Sequence, residues 1–314
     1  MFALRGLAVS LSVFAIVYSA LSLVVCLSWR RLRDQVQNPP PLRIANFLFA
    51  LRMLPLVAAV TVTAALAVPS FVLLEPRAVD EPMGLLPILL GCGGMAVVLI
   101  GSLNTARTMR KVSQTVSTWT NQAQSIQNGP VPVLRIPSPI PPMTAVGIFR
   151  PRILISSAAE FVLFDRERRA ALNHEMVHVR RRDNLRKVLL QFVAFPGMAG
   201  LETAWLEATE MAADDAAVTN ASEALDLAAA LIKVSRLPAE PVADLTTALV
   251  RSPASIMNAR VERLLAWKDH RASTRPAVSA WYGGAAALAA FATFALTYSH
   301  LLVRVHTATE WLVR

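Results

Sequence analysis

Leu172-Asn173-His174-Glu175-Met176-Val177-His178-Val179 lies in a run, from Arg166 to about Val193, that holds neither Gly nor Pro and ends before Pro196-Gly197. That run is read as one helix. An α-helix turns once in 3.6 residues, so imidazoles at i and i+4 leave the same face about one turn apart. One Zn²⁺ can bridge that spacing. Glu175 is rotated by about 100° from His174, which puts it beside such an ion, where it can take a proton from water. With 5 His and 12 Glu among 314 residues, chance alone gives this pentapeptide about 0.003 times, so the pattern is read as chemistry.

A catalytic zinc needs a third protein ligand and an open position. The next predicted helix, Leu201 to Val218, offers Glu202, Glu207 and Glu210, with Asp214 and Asp215 after them. Glu210 and Asp214 are four apart and share a face, so Glu210 is the expected metal ligand. Asp214 is then expected to accept a hydrogen bond from a ligand imidazole and fix its tautomer. A third helix is expected over Ser222 to Ser235, stopped by Leu237-Pro238.

On the other side of the motif the chain is Pro-rich, with seven prolines between Gly129 and Pro151. The short alternating runs Val131 to Ile136 and Ala145 to Phe149 suit edge strands or a small β ribbon, and Arg152 to Ser156 is a third short strand candidate. Asn104 to about Gln127 is polar and reads as a helix leaving the membrane or a connector.

The remainder is apolar. Hydrophobic residues make up 54% of the chain and charged ones 17%, with a mean hydropathy of +0.47. An average soluble domain carries about 25% charged residues, so a wholly soluble protein is excluded. The excess lies in four uncharged stretches, 7–29, 53–74, 84–103 and 277–303, each near the 20 or so residues that span a bilayer. The first is read as an anchor rather than a cleaved signal peptide, because it is long for one and Arg30-Arg31-Leu32-Arg33 would have to be translocated. The expected organisation is therefore a membrane region over 1–103, a soluble domain over 104–276, a fourth span over 277–303 and a tail over 304–314.

The net charge of +10 comes from 27 Arg and 4 Lys against 21 acids. Arg30, Arg31, Arg33, Arg43 and Arg52 lie between the first two stretches; Arg107, Arg110 and Lys111 follow the third; Lys268, Arg271 and Arg275 precede the fourth. The second connection instead holds Glu75, Asp80 and Glu81 against Arg77. By the positive-inside rule the large domain is expected in the cytoplasm, with both termini and the acidic connection outside. The basic run Arg180-Arg181-Arg182, Arg186, Lys187 is assigned to anionic lipid or to internal pairing with Asp183, not to nucleic acid. Cys26 and Cys92 fall in apolar stretches and supply neither a disulfide framework nor a metal site.

Gly147-Ile148-Phe149-Arg150-Pro151-Arg152-Ile153-Leu154-Ile155, Leu172 to Asn184 with its HExxH, Glu210-Met211-Ala212-Ala213-Asp214-Asp215, and Arg260-Val261-Glu262-Arg263-Leu264-Leu265 follow one another in an order that resembles the BlaR/MecR-type membrane zinc metallopeptidases. The resemblance implies a mainly α membrane protein of four transmembrane helices with a cytoplasmic α+β, zincin-like metalloprotease domain. It implies His174, His178 and Glu210 as ligands of Zn²⁺ and Glu175 as general base. In the best-known members a penicillin-binding sensor outside the cell signals to the protease, which inactivates a DNA-binding repressor. Here only Arg304 to Arg314 follow the fourth stretch, so no such sensor is expected, and a signal would enter through the spans, the outer loop or a separate protein.

The function expected is cleavage of a cytoplasmic protein, a winged-helix repressor of the penicillinase-repressor type, by a multi-pass enzyme of a bacterial inner membrane. General membrane quality control by a zinc protease and non-catalytic signal reception are the alternatives. The expected partners are the protein substrate and the lipid bilayer, with no direct nucleic acid; a homo-oligomer is compatible with this layout.

Overall fold

A computed structural model describes residues 2–32, 40–76, 84–127, 131–137, 142–192, 195–237, 247–248, 254–267 and 278–313. The chain divides into two compact units. The first comprises 1–28, 53–100 and 271–314; the second comprises 29–52 and 101–270.

The first unit is helical. It contains most of α1 (Phe2–Leu32), the later part of α2 (Pro41–Val62), a π-helical segment Thr63–Ala67, α3 (Val68–Leu74), the first part of α4 (Leu85–Asn121), and a 36-residue helix Val278–Val313. Three helical segments among the described residues are long and apolar enough to cross a membrane: Phe2–Arg31, Pro41–Leu74 and Leu85–Asn121. They contain the expected spans 7–29 and 53–74 and nearly all of 84–103. The fourth expected span falls on the helix Val278–Val313, of which the side chains of 278–292 lie outside the described residues, as do the acids Asp80 and Glu81 and the basic flank 268–275.

Local chemistry explains how these helices meet. Pro69 brings no N–H to the carbonyl of Ala65 four residues earlier, and the Tyr298 hydroxyl donates to that oxygen at 2.8 Å. Where α4 passes α1 the contact needs glycine: a Cβ on Gly94 would stand 2.4 Å from the Leu11 carbonyl oxygen. Small residues allow such backbone approach in membranes.

The second unit is α+β. Its sheet has β1 (Gln124–Gln127), β2 (Val133–Ile136), β3 (Met143–Val146), β4 (Arg152–Ser156) and β5 (Thr247–Ala248), in the order β1-β2-β4-β3-β5. β2 and β4 are parallel and the remaining pairs antiparallel. The helices are α5 (Ser157–Val162), α6 (Asp165–Arg181), α7 (Asp183–Phe192), α8 (Ala199–Ala217), α9 (Ala221–Ser235) and α10 (Ala254–Leu265); the helix Val278–Val313 is α11.

Three expectations need correction here. The two runs expected as edge strands are interior, as β2 and β3 on either side of β4, and the edges are β1 and β5; the second run is a strand over Met143–Val146, not to Phe149. Pro132, Pro137, Pro142 and Pro151 stand just outside the strands, so the ladder positions stay free of them. Second, the polar segment after Asn104 is helical only to Asn121, and its last residues form β1. Third, the run from Arg166 is two helices. Arg182 adopts a left-handed conformation, φ 55°, and its N–H bonds the carbonyls of His178 and Val179, closing α6.

Alternation along the strands builds two layers of core. Val133, Met143, Ala145, Ile153 and Ile155 join Ala170, Ala171, Leu227, Leu231, Val234 and Leu264 in the main core. Ile136, Val146 and Leu154 point the other way, against Val116 and Trp119 of α4. The main core fixes α6 across the sheet, and α6 carries the motif.

Candidate metal centre

α6 begins at Asp165, where the Phe164 N–H donates to the Glu167 carboxylate at 2.9 Å. Its inner face buries His174, Glu175 and His178, each at most 2% exposed. The two imidazoles meet through their Nε2 atoms, 3.1 Å apart. From α8, Glu210 Oε2 comes within 3.5 Å of His174 Nε2, and Oε1 within 3.6 Å of His178 Nε2. In a tetrahedral site with bonds of 2.0–2.1 Å, ligand atoms stand about 3.3 Å from one another. Two nitrogens and a carboxylate at these separations fit one metal ion. The structure thus brings together His174, His178 and Glu210, and their ligand atoms form a group able to hold a metal.

Both Nδ1 atoms turn away toward acids. Asp214 Oδ1 lies 3.0 Å from His174 Nδ1, and Asp183 Oδ2 lies 2.8 Å from His178 Nδ1. Each carboxylate favours the Nδ1–H tautomer, which leaves the Nε2 lone pair for a metal. The sequence expectation for Asp214 agrees with this placement. Asp183 was named only as a partner for the basic run, and Arg181 and Arg186 do approach its other oxygen at 3.8 and 3.9 Å. Its role toward His178 depends on the break at Arg182: in a continuous helix, position i+5 points about 140° away from i. We expect Asp183→Asn to lower metal affinity by roughly 10- to 100-fold, measured by competition with a chelator, because the neutral amide no longer fixes the imidazole as strongly.

Arg260 was visible only within the α10 stretch that carries the resemblance. It is 1% exposed, donating through Nε and Nη2 to both oxygens of Asp214 at 2.7 Å each, while Nη1 stands 3.1 Å from Glu210 Oε2. Lysine could not present this fork. Burial works against charge on Glu210 and Asp214, yet Arg260 and the neighbouring imidazoles hold both carboxyls below their ordinary range.

Glu175 faces the sheet. The Ala145 N–H of β3 donates to its Oε2 at 2.7 Å. Asn184 secures that strand, its side-chain amide donating to the carbonyls of Ala145 at 3.1 Å and Gly147 at 3.2 Å. Gly147 is required, with φ 89° and no room for a Cβ, which would stand 2.5 Å from the Arg150 carbonyl oxygen. Burial raises the Glu175 carboxyl to about 8, against the opposing pull of His174. Glu202 and Glu207, the other acids considered on α8, are not among the grouped ligands.

The imidazoles respond differently to burial. It pulls His178 down, whereas at His174 the Asp214 and Glu210 carboxylates outweigh it and raise the ring to about 9. The metal-free site therefore carries a proton at neutral pH, and metal and proton compete for it. We expect metal binding at pH 7.5 to release more than one proton, one from His174 and part of another from Glu175, seen as a dependence of binding enthalpy on buffer ionisation. Between 9 and 8 apparent affinity should fall about tenfold for each unit of pH lost, and more steeply below 8, where Glu175 is protonated as well.

Two imidazoles on one turn, a carboxylate from a neighbouring helix and a buried Glu beside them make up the ligand set and proton acceptor of a metal-dependent hydrolase. Residues 86–264, more than half of the chain, match the family described as BlaR1 peptidase M56. Comparison with curated proteins gives no match. The match takes in all of the membrane-crossing α4 but its first residue, the sheet, α5 to α9 and nearly all of α10, so the site described and the family assignment rest on the same residues: the chain belongs to the BlaR1 peptidase M56 family and is a membrane metallopeptidase.

Proposed function

We propose that the protein is a zinc endopeptidase that cuts a cytoplasmic protein substrate, a transcriptional repressor of the penicillinase-repressor type, in a signalling or antibiotic-response pathway. The observation that carries this reading is the triangle of His174 Nε2, His178 Nε2 and Glu210 with the Glu175 carboxylate buried beside it. His174, His178 and Glu210 would hold the ion. When bound, zinc supplies Lewis-acid chemistry, polarising a carbonyl and acidifying water. Two imidazoles with one carboxylate match the donor set of zinc hydrolases, whereas calcium and magnesium take oxygen ligands.

The chain's own residues do the rest. Glu175 accepts a proton from the attacking water and returns it to the leaving amine. Its raised pKa favours holding that proton between the two steps, and a cation held by His174, His178 and Glu210 would lower it toward what the first transfer needs. The Ala145 N–H keeps one carboxylate oxygen in place. Asp183 and Asp214 hold the imidazoles, and Arg260 holds Asp214.

The arginine-rich connections and the acidic one support a cytoplasmic placement of the peptidase unit. Incubating the full chain in lipid nanodiscs with a purified winged-helix repressor of this type tests the reading. Cleavage that stops on chelation and returns with Zn²⁺ is the expected result; intact repressor under conditions where the enzyme carries zinc removes the substrate assignment.

A further inference from the structure

The membrane unit holds a second cluster of ligating groups, which the peptidase chemistry does not use. Glu75 follows α3, and His306 and Glu310 lie one turn apart on α11; one ligand atom from each falls within 4.8 Å of the others. His306 Nδ1 is 4.0 Å from Glu75 Oε2, and Nε2 is 3.4 Å from Glu310 Oε1. Arg5 of α1 takes the other Glu75 oxygen, Oε1, at 3.2 Å. His306 Nδ1 is shut off from solvent and makes no hydrogen bond among the described residues.

We propose that Glu75, His306 and Glu310 form a second divalent transition-metal site, which ties α3 to α11 at one end of the membrane unit. The donor set is one imidazole and two carboxylates. Imidazole selects against calcium and magnesium, which take oxygen donors, and suits zinc or a neighbouring first-row ion. Only one ring nitrogen of His306 can bind the ion; one ligand atom from each of the three side chains lies within 4.8 Å of the others, so small side-chain shifts would close the group around it. The i, i+4 spacing of His306 and Glu310 puts both on one face of α11. Arg5 occupies one oxygen of Glu75 and leaves the other for the ion, as an outer partner of a ligating carboxylate does.

Position in the chain supports this independently. Arg5 precedes the first apolar stretch, Glu75 follows the second and His306 follows the fourth. Charged groups at such rims reach water, so an ion can enter without crossing hydrocarbon. By the charge distribution this end is the extracytoplasmic one. An ion there would brace α11, the helix that follows the peptidase unit in sequence.

The test uses the full chain in lipid nanodiscs, with His174→Ala/His178→Ala as the background that removes the first site. Zinc titration followed by metal analysis should give one equivalent bound in that background. His306→Ala should abolish it, and Glu310→Gln, at a half-exposed position where folding is insensitive, should weaken it at least tenfold. Excess Ca²⁺ should not displace it. The proposal is overturned if the background variant binds no zinc, or if neither substitution changes what it binds, in which case the cluster is an ion-pair network alone. The wild type separates the two sites. Two equivalents are expected there, and a single equivalent that vanishes with His306→Ala would support this site while sinking the catalytic one.

Discussion

Glu175→Gln is expected to lower the rate of substrate cleavage by roughly 10²- to 10⁴-fold while leaving the metal content of the purified protein unchanged. The split between the two readouts is what identifies the role. Glutamine has the shape of glutamate, and its side-chain oxygen can still accept the Ala145 N–H that now bonds Oε2 at 2.7 Å, so β3 and α6 keep their places. What glutamine cannot do is take a proton. His174→Ala, in contrast, removes a ligand and should lose metal and activity together. The carboxyl of Glu175 is fully buried, and burial raises its pKa to about 8. At neutral pH such a carboxyl is mostly protonated in the metal-free protein, so a neutral amide of the same shape adds no buried charge, and the variant should be no less stable than the wild type. A Glu175→Gln enzyme that retains full activity with its metal would assign the proton transfer elsewhere; one that loses its metal would make Glu175 a structural support of the site.

The parts of this site that sequence reveals are those set by helical periodicity. His174 and His178 are one turn apart on α6, and Glu210 and Asp214 one turn apart on α8, so spacing alone pairs them correctly. The hidden parts depend on breaks and on contacts distant in sequence. Asp183 reaches His178 only because Arg182 takes a left-handed turn that a run without Gly or Pro does not announce. Arg260 lies 46 residues beyond Asp214, and no local pattern joins an arginine to an acid at that distance. The strands of the sheet are legible in part, and the edge position expected for two of them is wrong. Short Pro-flanked runs such as those of β2 and β3 look like edges, yet they flank β4, whose Arg152-Ile153-Leu154-Ile155-Ser156 buries both faces. Strand order is set by tertiary packing, which one strand's pattern does not encode. Three of the four apolar stretches fall on described helices long and apolar enough to cross a membrane, the form in which a single stretch satisfies its own backbone in hydrocarbon.

Arg260→Met is expected to destabilise the peptidase unit by about 3–5 kcal/mol, because it removes one partner from a buried ion pair and leaves the other charged. The guanidinium is almost completely buried and answers two carboxylates, Asp214 through a double hydrogen bond and Glu210 at 3.1 Å. For a unit of this size that loss corresponds to a fall in Tm of roughly 6–20 °C, measured on the metal-free protein. Arg260→Lys should lose much of the same stability, since an ammonium cannot bond both oxygens of Asp214 and reach Glu210 together. Arg260→Met/Asp214→Leu then separates packing from charge. If the cost in Arg260→Met is the stranded Asp214 carboxylate, the double variant should recover much of the lost Tm, because no unpaired acid remains at that position. It should still bind metal more weakly than the wild type, since His174 has lost the acid that stands 3.0 Å from its Nδ1. Recovery of stability without recovery of metal affinity is the outcome that makes Arg260 a positioning residue, acting on the ion through Asp214. Equal loss of Tm in the single and double variants would mean instead that Arg260 serves only to fill space between α8 and α10.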